Sequence, residues 1–158
     1  MERDCDVAEE VARFVGYNKM PSTAIRGVAS ARPTERQTFH ETLMNALVGY
    51  GMYEIETFSF YSRKAFDAVN LPENDPLRNA LVISNPLGED TSIMRTTALP
   101  SMMDVIARNY NARAAECALF EDTTTYTPNA DPDQLPTETE TLMLGAYGAG
   151  WDYLGLKG

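Results

Sequence analysis

Histidine is almost missing from this 158-residue chain: His40 is the only one, so mechanisms that need an imidazole pair, and metal sites built on two histidines, are excluded. Cysteine is nearly as scarce. Cys5 and Cys117 lack the paired spacing of a zinc site, and with no basic, apolar, small-residue leader ahead of them they are expected to stay free thiols in a reducing cytoplasm. No run reaches the roughly 18 apolar residues that span a bilayer, which excludes a transmembrane helix. Cations are few as well. Thirteen Lys and Arg against 23 Asp and Glu leave a net charge of −10, which disfavours nonspecific binding to phosphate backbones, so any role with nucleic acid is expected to be indirect. Neither common Gly-rich phosphate loop nor a Gly-x-Ser-x-Gly elbow is present.

What is there reads as ordinary globular sequence, 44% hydrophobic and 23% charged, long enough to bury a core without staples. Val7, Val11, Phe14 and Val15 recur at helical spacing, with Asp6 as the expected N-cap, Glu9 three residues on, and Gly16 and Pro21 as stops. The stretch 22–33 has no period and reads as a connector. A helix is predicted from Thr34, its face marked by Phe39, Leu43, Ala46, Leu47 and Tyr50 and its stop by Gly51. Alternation from Tyr53 to Phe60 predicts one strand; Ser62 is placed to cap a short helix with Ala65, Phe66 and Val69; Leu81 to Ile83 predicts a brief strand. Asn85 to Gly88 reads as a turn in which glycine supplies a positive φ.

A helix is then expected near Pro100, with Leu99, Met103, Ile106 and Tyr110 on its buried face. The methionines 94, 102 and 103 read as core filling. Strands are predicted over Ala118 to Tyr126 and Thr141 to Tyr147, separated by an exposed acidic loop from Pro128 to Thr139. This order gives an α+β fold, a mixed or antiparallel sheet with helices packed on one face.

Few side chains offer chemistry. His40 follows core Phe39 on a helix and reads as exposed; a Cys–His pair stays formally open. Asp6, Glu9 and Glu10 sit at i, i+3 and i+4, an arrangement of carboxylates that suits Mg²⁺, although acids in a first turn also simply complement the helix dipole. Arg95, Arg108 and Arg113 could clamp a carboxylate or phosphate, or could be surface charge or partners of an internal acid such as Glu121.

Three blocks together carry a family resemblance: DVAEEVARFVGYNKMP at 6–21, the stretch from Leu43 through GYGMYEIETFSFYS, and ISNPLGEDTSIMRTTALPSMMDVIARNYNARAAECALFE at 83–121, with WDYLGLKG at the end. Their Glu-Glu-Val-Ala-Arg, Asn-Pro-Leu, Met-Arg-Thr, Leu-Pro, Asn-x-Arg and Leu-Phe-Glu elements resemble the β subunit of bacterial phenylalanyl-tRNA synthetase over nearly the whole chain. The resemblance implies residues 1–21 as the end of a B5 module, 22–33 as connector and 34–158 as the catalytic-like core, a truncated class II synthetase fold with an antiparallel sheet flanked by helices. The piece would lack the modules found upstream and downstream in the family.

That resemblance implies a cytoplasmic ligase, an (αβ)₂ heterotetramer that attaches phenylalanine to tRNA(Phe) with ATP, in which the α subunit does the chemistry and this module has no catalytic or nucleotide-binding residue of its own. Where a working class II site holds ATP with a strand arginine, Asp122 to Thr127 offers hydroxyls. Asp6, Glu9 and Glu10 match three of the family's four ligands for a Mg²⁺ shared with the α subunit; the fourth would precede Met1, so this chain alone is expected to bind the ion weakly or not at all. Leu43, Leu47, Tyr53, Phe58 and Phe60 are expected to face the α subunit. Two rival readings are a free-standing amino-acid-activating enzyme using Arg95 and Arg113 on ATP, and an acidic binding module unrelated to synthetases.

Overall fold

A computed structural model describes residues 3–27, 31–131 and 134–157. Val28 to Ser30 of the connector, Pro132 and Asp133 of the acidic loop, and Gly158 lie outside the described residues. The chain divides into two compact units, Met1–Thr34 and Glu35–Gly158.

The first unit is built on helix α1, Asp4–Val15, followed by a 3₁₀ turn over Tyr17–Lys19. The helix starts two residues before the position expected for its cap. Asp6 is therefore inside the first turn, where its Oδ2 accepts from the backbone N–H of Arg3 at 3.2 Å and so still satisfies a helix-end donor. Gly16 ends the helix at φ 96°, a left-handed conformation that a Cβ would strain.

In the second unit, α2 (Glu35–Gly49) runs into β1 (Tyr53–Glu54), with Gly51 at φ 86° making the bend between them. The strand predicted over Tyr53 to Phe60 divides in two. After Ile55 N–H donates to Phe120 C=O at 2.9 Å, the next ladder position fails because Thr57 N–H donates instead to the Glu121 side chain at 3.0 Å. The chain then joins a second sheet as β2 (Phe60–Tyr61), antiparallel to β3 (Ile93–Met94). Leu81 to Ile83 contributes only a bridge, Val82 opposite Ile93, and the short helix α3 (Lys64–Ala68) is opened by the Ser62 carbonyl, which accepts from Ala65 N–H, not by its hydroxyl. Gly88 is extended, at φ −174°, so its turn needs no positive φ.

Helix α4 (Leu99–Asn111) leads to β4 (Cys117–Thr127), β5 (Thr137–Tyr147) and a last short helix, α5 (Tyr153–Lys157). β5 begins four residues earlier than predicted, inside the stretch read as acidic loop. The main sheet has the order β1-β4-β5, with β4–β5 antiparallel over eleven residues and β1 parallel to β4. It is therefore mixed, because the chain between β1 and β4 crosses over through the second sheet and α4. One side of the β4–β5 arm is a threonine array, with Thr123 opposite Thr141, Thr125 opposite Thr139 and Thr127 opposite Thr137.

Helices cover both faces of β4, not one. Ala118 and Phe120 pack with Met52, Met44 and Leu47 from the α2 side, while Cys117 and Leu119 pack with Met102, Val105 and Ile106 of α4. The buried stripe of α4 is thus turned from the predicted one: Met102 is buried, and Leu99, Met103 and Tyr110 are exposed. Gly145 of β5 sets this rotation, since a Cβ there would stand 2.6 Å from Ile106 Cδ1 and 2.8 Å from Met102 Cγ. A smaller core of Tyr61, Phe66, Ala80 and Ile93 lies under β2 and β3.

Burial separates the two cysteines. Cys5 is exposed, whereas Cys117 is buried and desolvation raises its thiol above the usual range. Titration of the folded chain with a thiol-specific chromogenic reagent should show one fast thiol, lost in Cys5→Ser; two fast thiols in the unsubstituted chain would contradict the packing of Cys117. No described helix is long and apolar enough to cross a membrane.

Candidate functional site

The second unit carries an open cleft of about 1320 Å³, walled by Glu56 to Ser62 on one side and by part of β4 on another, with Arg95 and Glu121 among its lining residues. Its chemistry is concentrated at one buried ion pair. Arg95 Nη1 lies 3.2 Å from Glu121 Oε1, with the two side chains 4% and 2% exposed. Nε donates to Thr124 C=O at 2.7 Å, and Nη1 also donates to Thr57 Oγ1 at 3.2 Å.

Glu121 gathers several donors on one oxygen. Its Oε1 accepts from Thr57 N–H at 3.0 Å, Thr57 Oγ1 at 2.8 Å and Thr123 Oγ1 at 3.3 Å, besides Arg95. Backbone bonds tie the same three segments together, Arg95 N–H to Ser59 C=O and Tyr126 N–H to Arg95 C=O, each at 2.9 Å. Desolvating two charges is costly, and what offsets it here is the number of hydrogen bonds that each charge makes. Tyr61, beside this network, donates to Thr97 C=O at 3.2 Å, and its burial raises the phenol above its usual range.

Two further cations line the cleft, Arg108 and Lys64, and each is paired with an acid. Arg108 pairs with Asp104 at 2.9 Å on the helix surface, and Lys64 stands 3.6 Å from Glu89. Arg113 ends α4 at φ 62° and does not line the cleft, so the pair Arg95–Arg113 required by the free-standing-enzyme reading is not assembled. Thr123 to Thr125 occupy the strand stretch examined for an arginine. His40, read as a plain exposed histidine, is half exposed but paired, with Nε2 2.6 Å from Asp122 Oδ2.

The expected metal ligands lie on α1, in the first unit. Glu10 Oε2 accepts from Arg13 Nε and Nη2 at 3.1 and 2.5 Å, Asp6 caps Arg3, and Glu9 is exposed. Among the described residues no three His, Cys, Asp or Glu side chains converge as a metal site. Of the three, Glu10 shares one carboxylate oxygen, Oε2, with the Arg13 guanidinium.

Of the residues expected to face a partner, Tyr53 and Phe58 are 75% and 74% exposed, and Phe58 stacks on half-buried Phe60 with ring centroids 5.3 Å apart. Leu43 is half buried and lines a smaller pocket with Phe39, His40 and Leu142; Leu47 leans on the internal cluster of Met52 and Phe120. The residue that sequence reasoning missed is Thr57. Nothing in an alternating Glu-Ile-Glu-Thr stretch marks it as the donor that holds Glu121.

Residues 20–157 match the family described as the phenylalanyl tRNA synthetase beta chain CLM domain. The chain belongs to that family. It is 44% identical over 154 residues to the phenylalanine–tRNA ligase beta subunit of Clostridium tetani (strain Massachusetts / E88), covering 97% of this chain and 19% of that protein. It is 43% identical over 157 residues to the beta subunit of Geobacter metallireducens, covering 96% of this chain and 20% of that one. The chain thus spans about a fifth of the length of these relatives. In fold it is similar to pyrrolysyl-tRNA synthetase from Desulfitobacterium hafniense, with a TM-score of 0.53 at 19% identity over 68% of this chain and 37% of that one. A second structure of that enzyme gives 0.55 at 16% identity, over 70% of this chain and 37% of the other. The chain therefore has a class II synthetase-like fold, built on a small mixed sheet.

Proposed function

We propose that this chain is a non-catalytic, class II-like module of a phenylalanine–tRNA ligase beta subunit, and that it supports assembly with an alpha subunit that attaches phenylalanine to tRNA(Phe) using ATP. The observation that carries this reading is the buried pairing of Arg95 with Glu121. The one buried arginine of the cleft is neutralised by Glu121, and the neighbouring strand offers Thr123, Thr124 and Thr125, which cannot balance the charge that develops on a phosphoryl group. The acidic overall charge further disfavours a nucleotide guest.

Assembly is read from the other side of the molecule's chemistry. Tyr53 and Phe58 expose aromatic rings, and Phe39 is 68% exposed on α2, a composition enriched in protein interfaces. The chain alone should give no phenylalanine-dependent ATP–pyrophosphate exchange and should be captured by its alpha subunit. Leu43→Asp combined with Tyr53→Asp should cut that capture at least tenfold while leaving the circular dichroism of the chain unchanged. Exchange by the isolated chain would overturn the non-catalytic half; undiminished capture by a folded double variant would overturn the interface half.

A further inference from the structure

We infer that the chain contains a carboxylate-binding cradle whose occupant is its own Glu121, and that removing this side chain uncovers a site for a small carboxylate ligand such as formate or acetate. The inference rests on the reading of the cleft as catalytically silent, and deepens it by naming what holds the anion position.

The cradle is described by its donors. Four groups converge on Glu121 Oε1: Thr57 N–H at 3.0 Å, Thr57 Oγ1 at 2.8 Å, Arg95 Nη1 at 3.2 Å and Thr123 Oγ1 at 3.3 Å, and Thr57 Oγ1 lies 3.0 Å from Oε2 as well. A backbone amide, two hydroxyls and a guanidinium aimed at one point make up the donor set of an oxyanion pocket. Three of the four come from segments other than the carboxylate's own strand, and Arg95, which also donates to Thr57 Oγ1 at 3.2 Å, is fixed independently of it. Arg95 is held by Thr124 C=O at 2.7 Å, and its backbone N–H by Ser59 C=O at 2.9 Å. The guanidinium therefore keeps its aim when the carboxylate is truncated.

Access is provided by the cleft, whose lining includes Thr57, Arg95, Glu121 and Thr123. Truncation at Cβ removes a CH₂ and a carboxylate, the volume of an acetate or formate ion, and opens it toward solvent through that cleft. It also leaves a buried guanidinium without a counter-ion, the condition under which an external anion is bound most strongly. Shape selects among anions. Two oxygens share Thr57 Oγ1, which a planar carboxylate reproduces and a spherical chloride does not.

The test is rescue of Glu121→Ala. Thermal melts in sodium acetate or formate, at ionic strength matched with sodium chloride, should raise the melting temperature of the variant by about 2–4 °C once the carboxylate exceeds its Kd several-fold. The unsubstituted chain and the Arg95→Met/Glu121→Ala double variant should show no such rise, and neutral acetamide should give none in any of the three. Equal shifts in chloride, in acetamide or in the unsubstituted chain would overturn the cradle. Should Glu121→Ala be unfolded in chloride, the same titration is read as recovery of folded circular dichroism signal, and its absence at saturating acetate overturns the inference equally. Failure here leaves alpha-subunit capture and the exchange assay untouched, so the two readings fail separately.

Discussion

Arg95→Met should destabilise the chain by about 3–5 kcal/mol in denaturant melts, the cost of leaving one half of a buried ion pair without its partner. Three losses coincide in this variant. Glu121 is left at 2% exposure without its cation, Thr124 C=O loses its donor, and the link from the Phe58–Ser59 stretch to β4 is reduced to backbone bonds. Substituting both partners, as in Arg95→Met/Glu121→Leu, should cost less than the sum of the single changes, because the second substitution removes the stranded charge. It should not return the whole loss, since Thr57 N–H then has no acceptor. If Arg95→Met melted within about 0.5 kcal/mol of the original chain, as surface substitutions do, the network would not be holding the cleft walls together.

Phe120→Ala should cost about the same, 3–5 kcal/mol, and Phe58→Ala close to nothing. The two phenylalanines differ by environment alone. Phe120 is 0% exposed between α2 and β5, in contact with Met52 and Leu144, so truncation leaves a cavity walled by α2 and the sheet that cannot easily collapse. Phe58 is 74% exposed and touches mainly Phe60. Urea melts of the two variants check the contrast. A large loss from Phe58→Ala would mean that its ring supports the fold, and would remove it from the residues proposed to meet a partner.

Much of the architecture was legible from local pattern. Helix α2, the stop at Gly51, strand β4 and the apolar half of β5 follow from periodicity and glycine placement, signals that act within a few residues. What local pattern missed was decided across the sheet. The stretch from Tyr53 to Phe60 alternates like one strand, but the amide of Thr57 is taken by a carboxylate 64 residues away, and no window of sequence contains both. The buried face of α4 was misread for a similar reason: Leu99, Met102, Met103, Ile106 and Tyr110 offer two apolar stripes, and the absence of a side chain at Gly145 selects the one that packs. The start of β5 was hidden by prolines and by Thr and Glu residues, whose polarity suggested a loop although threonine favours extended backbone. At the candidate site, Glu121 was nameable as a partner for Arg95 because it ends a run of apolar β-formers. The hydroxyls that complete the ring around it carry no comparable mark.

The paired threonines along β4 and β5 bear on solubility. A hairpin of two eleven-residue strands presents the kind of extended surface on which chains stick to one another. Valine or isoleucine at Thr127, Thr137 and Thr139, all exposed, would preserve the branched Cβ that favours extended backbone and would leave a greasy ribbon open to neighbouring molecules. Threonine keeps the branch and replaces a methyl with a group that water can solvate, so the arm stays straight without becoming adhesive.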